Sequence, residues 1–259
     1  MDDGRVQPSP GTAAGAVALE QVAFLGPFFA VAVAGPTGTG LWRPLGDLLN
    51  DPEVLGERIA ATRAVLATRC GEDVSYVEPK VAASTVQLGL SARLLSPAVA
   101  AALLTGWLPL LTGSTLWWRA GDSDPVGLSV ECSLEARYCA GAEELVDALD
   151  EQLLRGLAGP LVEATQAAVA VSPLVLWGNV ASAVHTAVTL TVLAQPSREQ
   201  LGREMLGGLM SRPLLAGTAE AKGRTRDGAR RFRRNSCCLR YRLPDVELCG
   251  DCVLLTDST

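Results

Sequence analysis

Residues 233–252 read Arg233-Arg234-Asn235-Ser236-Cys237-Cys238-Leu239-Arg240-Tyr241-Arg242, then Leu243 to Leu248, then Cys249-Gly250-Asp251-Cys252. Four of the seven cysteines of the 259-residue chain fall in this stretch, spaced Cys-Cys-x10-Cys-x2-Cys. Clustered thiols in a chain whose first residues, Met1 to Arg5, lack a basic and then apolar leader point to metal ligation rather than a disulfide framework. The segment has no strong periodicity of its own, so the rest of the chain must supply a body for it to pack on.

Four thiolates suffice for a structural zinc or for an iron–sulfur cluster. Cys249-Gly250-Asp251-Cys252 reads as a knuckle in which Gly250 allows a tight turn around one metal. Its counterpart, Cys237-Cys238, is an adjacent pair, and neighbouring residues in an extended chain point to opposite sides. Such a pair fits one tetrahedral zinc poorly and the wider [2Fe–2S] rhomb better, though spacing alone leaves both open. Cys70, Cys132 and Cys139 are scattered and read as small core hydrophobes.

Charge is concentrated beside the cysteines. The chain carries −6 overall. Residues 222–242 hold nine Lys or Arg against one acid, Asp227, a local excess of +8. Arg233, Arg234, Arg240 and Arg242 flank the thiols and are candidates for tuning a cluster or docking a partner, because a cation stabilises the more negative, reduced state. The basic block lacks interleaved stacking aromatics and the rest of the chain is acidic, so nucleic acid is not the expected partner.

The body, residues 15–221, reads as α+β and predominantly helical, with a small antiparallel sheet; residues 1–14 read as a flexible tail and 222–259 as the basic, cluster-binding segment. Asp51-Pro52-Glu53 is a helix start, with an Asp cap and Pro in the first turn. Helices are expected from Val81 to Leu95, from Ser96-Pro97 to Leu104, from Glu143 to Leu157, from Gly159-Pro160 to about Ala170, from Ser172-Pro173 to about Ala194, and from Arg198, capped by Ser197, to Met210. Gly113–Ala120 and Pro125–Cys132, joined by Gly121-Asp122-Ser123-Asp124, form a predicted hairpin. Ala18 to Ala34 reads equally as a strand pair or a broken helix. The apolar runs Val22–Gly35 and Ala98–Leu111 are shorter than a membrane span, and the expectation is a cytoplasmic protein without a transmembrane segment.

Other chemistries lack their residues. His185 is the single histidine, which excludes Rieske ligation and leaves Ser-His-Asp or Cys-His catalysis unsupported. Gly35 to Gly40 is followed by Leu-Trp and not by the Lys-Ser/Thr of a phosphate loop. With no flavin or nicotinamide motif, electrons must come from outside, from a ferredoxin or a reductase.

The Arg233–Arg242 and Cys249–Cys252 segments, with their Cys-Cys-x10-Cys-x2-Cys spacing, resemble the C-terminal signature of the FhuF-type ferric-siderophore reductases. The Ser96-Pro97 segment running to Gly106 and Leu176-Trp177-Gly178-Asn179 resemble the body of that family, so the likeness extends over residues 70–252. It implies that Cys237, Cys238, Cys249 and Cys252 ligate a [2Fe–2S] cluster that reduces Fe(III) in a siderophore, of hydroxamate type, to release Fe(II). It also makes Trp177 and Asn179, with Trp117 and Trp118, candidates for lining a substrate groove. An electron carrier or sensor, or a zinc-stabilised interaction module, are the alternatives.

Overall fold

The computed structural model describes residues 13–37, 42–119, 126–224 and 230–255. The expected tail falls largely on residues 1–12, outside the described residues. Helix α1 (Ala14–Glu20) opens the described chain, followed by a 3-10 turn (Ala23–Leu25) and strand β1 (Ala32–Val33). The ambiguous Ala18–Ala34 stretch is therefore both helix and strand. Strand β2 (Trp42–Pro44), helix α2 (Leu45–Asn50) and helix α3 (Pro52–Cys70) come next. The Asp51 side chain accepts a hydrogen bond from the Glu53 amide at 2.9 Å, and Pro52 occupies the first turn, as the sequence predicts.

Helix α4 (Pro79–Thr105) is one helix of 27 residues, where two were expected. Pro97 lies inside it and removes one backbone hydrogen bond. The helix continues because its flank from Arg93 to Leu104 is buried almost without a break, and packing outweighs one missing bond. It ends at Gly106, whose φ of 78° closes the helix in the left-handed region that favours glycine.

Strands β3 (Trp107–Pro109), β4 (Leu116–Arg119), β5 (Leu128–Val130) and β6 (Ala136–Tyr138) follow. The predicted hairpin is β4–β5, antiparallel, with Trp117 opposite Ser129; its turn lies outside the described residues. It belongs to a four-stranded sheet in the order β1-β5-β4-β2, in which β1 runs parallel to β5. Beta-3 and β6 form a separate antiparallel pair. Strands of two to four residues carry too little alternation to be read individually from sequence.

Helix α5 (Ala142–Leu149), a π-helical stretch (Asp150–Ala158) and helix α6 (Gly159–Ala168) form a continuous rod. The widened turn stacks residues five apart, and Arg155 pairs with Asp150 at 3.0 Å across that spacing. Helix α7 (Pro173–Ala194) matches its predicted bounds; α8 (Glu199–Met210) starts after a 3-10 turn, and Ser197 accepts from the Gln195 side chain instead of capping it.

Helices α4 and α7 are each long and apolar enough to cross a membrane by length and hydropathy, and each is mostly buried within the fold. They pack on one another more extensively than any other pair of elements. Their apolarity is thus used in a shared core. Arg93 of α4 is 3% exposed and carries its charge into that core. Its guanidinium donates to the carbonyls of Val126, Phe28 and Ala30, which ties the β1 approach and the β5 approach to α4. Burial lowers its pKa to about 10, so it stays charged at neutral pH.

A final antiparallel pair, β7 (Ala219–Arg224) and β8 (Arg230–Arg234), leads into the cysteine segment. Strand β8 packs on α7, and the 3-10 turn Arg240–Arg242 packs on α4. The α4–α7 pair is therefore the platform that carries the cysteines.

Candidate metal centre

The four cysteines meet at the open end of β8. The β8 end is pinned on both sides. The Arg234 amide donates to the Asp251 carbonyl at 3.0 Å, and the Asn235 amide donates to the Thr218 carbonyl at 2.8 Å. The first contact joins the two halves of the motif, so Cys237-Cys238 and Cys249–Cys252 face each other. The Cys252 amide closes the second half by donating to the Cys249 carbonyl at 2.9 Å. Gly250 does not adopt positive φ; the left-handed positions of the motif are Leu239, at φ 70°, and Asp245, at φ 55°. The backbone strain therefore lies in the stretch between Cys238 and Cys249 and not at Gly250.

One sulfur pair is in close contact. Cys238 Sγ and Cys249 Sγ are 3.6 Å apart. Cys252 is near enough to Cys237 to act on it electrostatically, although burial is the larger influence on that thiol. Cys238 and Cys252 are buried, while Cys237 and Cys249 are half-buried. Backbone amides point at the sulfurs: Leu239 donates to Cys237 Sγ at 3.3 Å and Leu254 to Cys252 Sγ at 3.4 Å, each two residues on. The Arg240 amide does the same for Cys238. Among the described residues no three metal-binding side chains converge on one point.

Arg234 is the cation of the site. Its side chain is 1% exposed. Nη2 donates to Cys249 Sγ at 2.7 Å and to Asp251 Oδ1 at 3.0 Å, and Nη1 donates to Asn179 Oδ1 at 2.9 Å. Nε lies 3.0 Å from Asp251 Oδ2, close enough for an ion pair but without hydrogen-bond alignment. Burial opposes the guanidinium charge, but Asp251 and the sulfurs more than offset it, and the net shift is upward. Cys238 and Cys249 shift each other in opposite directions. A hydrogen bond from Cys249 lowers Cys238 to about 5, with Arg234 adding to the effect, and Cys249 is raised in turn. Burial raises Cys237. One thiolate is thus already favoured, which suits a set of sulfurs made to bind metal.

Behind Arg234 lies a buried polar relay that the sequence reading did not identify. Asn179 of α7 donates to Gln87 Oε1 at 2.9 Å, to Ser84 Oγ at 3.1 Å and to the Ser84 carbonyl at 3.2 Å. Ser84 Oγ donates to the Cys238 carbonyl at 2.9 Å, and Gln87 Nε2 donates to Ser91 Oγ at 2.9 Å. All four residues are at most 1% exposed. Asn179 is therefore no groove residue; it is the link between helix α4 and the arginine on the cysteines. Ser84, Gln87 and Ser91 recur at i, i+3 and i+7 on one face of helix α4, and that spacing is the signal by which they could be found. Gly178 lets the segment approach: a Cβ there would stand 2.4 Å from Ser236 Oγ, which donates to the Leu174 carbonyl.

The other candidates sit elsewhere. Arg242 pairs with Glu78 and not with a sulfur. The Arg233 guanidinium reaches the Leu255 carbonyl. Arg240 is exposed and reaches the site through its backbone amide. Trp177 is half-buried against the core on α7. Trp117 and Trp118 lie on β4, within the sheet; Trp118 is 4% exposed, so it packs in the core. His185 stacks on Phe232 with ring centres 4.0 Å apart, and burial lowers its pKa.

Sulfurs sharing one tetrahedral metal at about 2.3 Å are about 3.8 Å apart, so the Cys238–Cys249 spacing of 3.6 Å fits a shared iron. That pair, with two further thiols beside it and amides and one guanidinium aimed at the sulfurs, suits a two-iron cluster. Comparison with known proteins agrees. Residues 234–254 match the FhuF 2Fe-2S C-terminal domain. A stretch of 109 residues is 31% identical to a ferric siderophore reductase of Escherichia coli (strain K12) and spans 40% of each chain. Residues 234–254 thus contain every one of the four thiols and are similar throughout to the FhuF 2Fe-2S C-terminal domain.

Proposed function

We propose that this protein is a cytoplasmic ferric-siderophore reductase that delivers one electron to chelated Fe(III) and so releases Fe(II). The observation that carries the reading is the paired, amide-lined set of four cysteines anchored by a buried arginine, in a segment of the FhuF type. The relative with which the chain shares 40% of its length is a ferric siderophore reductase, which supports the same activity here. Cys237, Cys238, Cys249 and Cys252 would hold the cluster, and a [2Fe–2S] cluster supplies single electrons at modest reorganisation.

The chain's own residues then have defined tasks. Arg234 places positive charge on the sulfurs and favours the more negative state. Asn179, Gln87 and Ser84 hold Arg234 and the Cys238 carbonyl, so the ligand frame does not shift when its charge changes. Leu248, Val253 and Leu254, beside Cys249 and Cys252, are 39–46% exposed and mark the face through which a bulky chelate reaches the site. Arg240, exposed on the same segment, attracts anionic groups. Hard oxygen donors hold Fe(III) far more tightly than Fe(II), so one electron loosens the metal without acid–base catalysis. Hydroxamates grip ferric iron less strongly than catecholates, which makes them the fitting class. The electron enters from a separate donor, a ferredoxin or a reductase.

Anaerobic purification with metal and sulfide analysis, followed by mixing of the dithionite-reduced protein with a ferric hydroxamate, tests this. Two irons and two sulfides per chain, and reoxidation with appearance of Fe(II), are expected. A reduced cluster that ignores the chelate would reduce the protein to an electron carrier or sensor, and one zinc without colour would make it an interaction module.

A further inference from the structure

The cysteines are paired unequally. Cys238 and Cys249, with sulfurs 3.6 Å apart, have the Arg234 guanidinium 2.7 Å from Cys249 and acting electrostatically on Cys238 as well. Cys237 and Cys252 receive the amides of Leu239 and Leu254. The carboxylate of Asp251 lies against the same guanidinium, 3.0 Å from Nη2, while that Nη2 donates to Cys249 Sγ at 2.7 Å. The ion pair is thus oriented, with its positive end on one sulfur pair. Cys238 is thus in contact with Cys249, and a two-by-two division of the four thiols leaves Cys237 with Cys252.

We infer that the ligands divide by iron as Cys238 with Cys249 and Cys237 with Cys252, and that Arg234 makes the Cys238–Cys249 iron the one that becomes ferrous. The inference rests on the [2Fe–2S] assignment and not on the siderophore. One electron from a one-electron reductant converts that ferric ion to ferrous; the net charge of cluster and thiolates goes from −2 to −3, and no bond is made or broken. A cation fixed in a dry site lowers the energy of the added electron most at the nearer iron. Arg234 is therefore a positioning residue whose effect is electronic as well as structural.

The test uses the full-length holoprotein with each cysteine changed singly to serine, and with Arg234→Gln and Arg234→Lys. Iron, sulfide and visible spectra of the unaltered protein come first; if no two-iron cluster is present, the cofactor assignment itself fails. Midpoint potentials, electron paramagnetic resonance of the reduced state and iron-57 Mössbauer spectra are then compared. A serine alkoxide favours ferric iron. Cys238→Ser and Cys249→Ser are expected to disfavour reduction alike, by at least about tenfold in the equilibrium constant, which is about 59 mV for one electron. Cys237→Ser and Cys252→Ser form a second class with smaller shifts and a nearly unchanged ferrous Mössbauer doublet. Arg234→Gln lowers the potential by a similar factor of about ten, and Arg234→Lys recovers part of it. Should the serine variants lose the cluster, paramagnetic proton NMR of the reduced unaltered protein decides: the cysteine methylenes on the ferrous iron should cross-relax with Arg234 and Asn179. Grouping of Cys237 with Cys238, an unchanged potential in Arg234→Gln, or cross-relaxation of the ferrous-side methylenes with Leu254 would each overturn the assignment.

Discussion

Asn179→Leu is the most informative single change in the body of the protein. Leucine keeps the branching and heavy-atom count of asparagine, so the change removes the hydrogen bonds without opening a cavity. Two buried groups lose their partner outright: Gln87 Oε1, now 2.9 Å from Asn179 Nδ2, and Arg234 Nη1, now 2.9 Å from Asn179 Oδ1. Ser84 keeps its bond to the Cys238 carbonyl and loses less. An orphaned neutral group costs about 1–3 kcal/mol and a charged donor more, so the expected loss is about 3–5 kcal/mol. For a chain of this size that corresponds to about 6–20 °C in melting temperature. Anaerobic equilibrium unfolding in guanidinium, followed by circular dichroism, measures it. A loss below about 1 kcal/mol would show that the relay is not the anchor of the cysteine platform and would refute the reasoning.

Two further outcomes follow from the same geometry. Gly178→Ala puts a methyl where Ser236 Oγ stands, 2.4 Å away, and should lift the segment off α7; iron content should fall several-fold under mild chelation while helical content stays constant, and full retention of iron would show that the contact yields freely. His185 has its pKa lowered by burial beside Phe232, with Asp251 opposing the shift. Its folded-state pKa therefore lies below the ordinary value near about 6.5, so the unfolded chain binds the proton first and stability declines as pH falls below that value, with no effect above it. Denaturation midpoints between pH 7 and 5 should fall less steeply in His185→Phe; equal slopes would assign the acid sensitivity to other groups.

The metal centre was legible where its chemistry is local. Four thiols at that spacing stand out as candidate ligands from sequence alone, and so does the charge beside them. Which arginine matters was not legible, because Arg233, Arg234, Arg240 and Arg242 look alike in a list, and only the fold buries Arg234 on the sulfurs while giving Arg242 to Glu78. Asn179 fell in a recognised segment but was read as a groove residue, since nothing local reveals that α4 lies against it. Of the fold, the helix starts at Asp51-Pro52 and Ser172-Pro173 were evident. The break at Pro97 did not occur, because a proline signals a local cost whereas the burial of α4 is decided by its neighbours.

The relay also orders events in time. Ser84 meets Cys238 across 154 residues, Asn179 meets Ser84 across 95, and Arg234 reaches Asn179 across 55. Contacts between distant positions form late, after the local helices and the loops that close them. The cysteine segment follows both platform helices in the chain, and its contacts with them need the α4–α7 pair already in place. Until then the sulfurs are open to solvent, oxidants and metal carriers alike. The seat for Arg234 on the assembled α4–α7 pair thus acts as a checkpoint: a complete ligand set arises only on a body that has already folded.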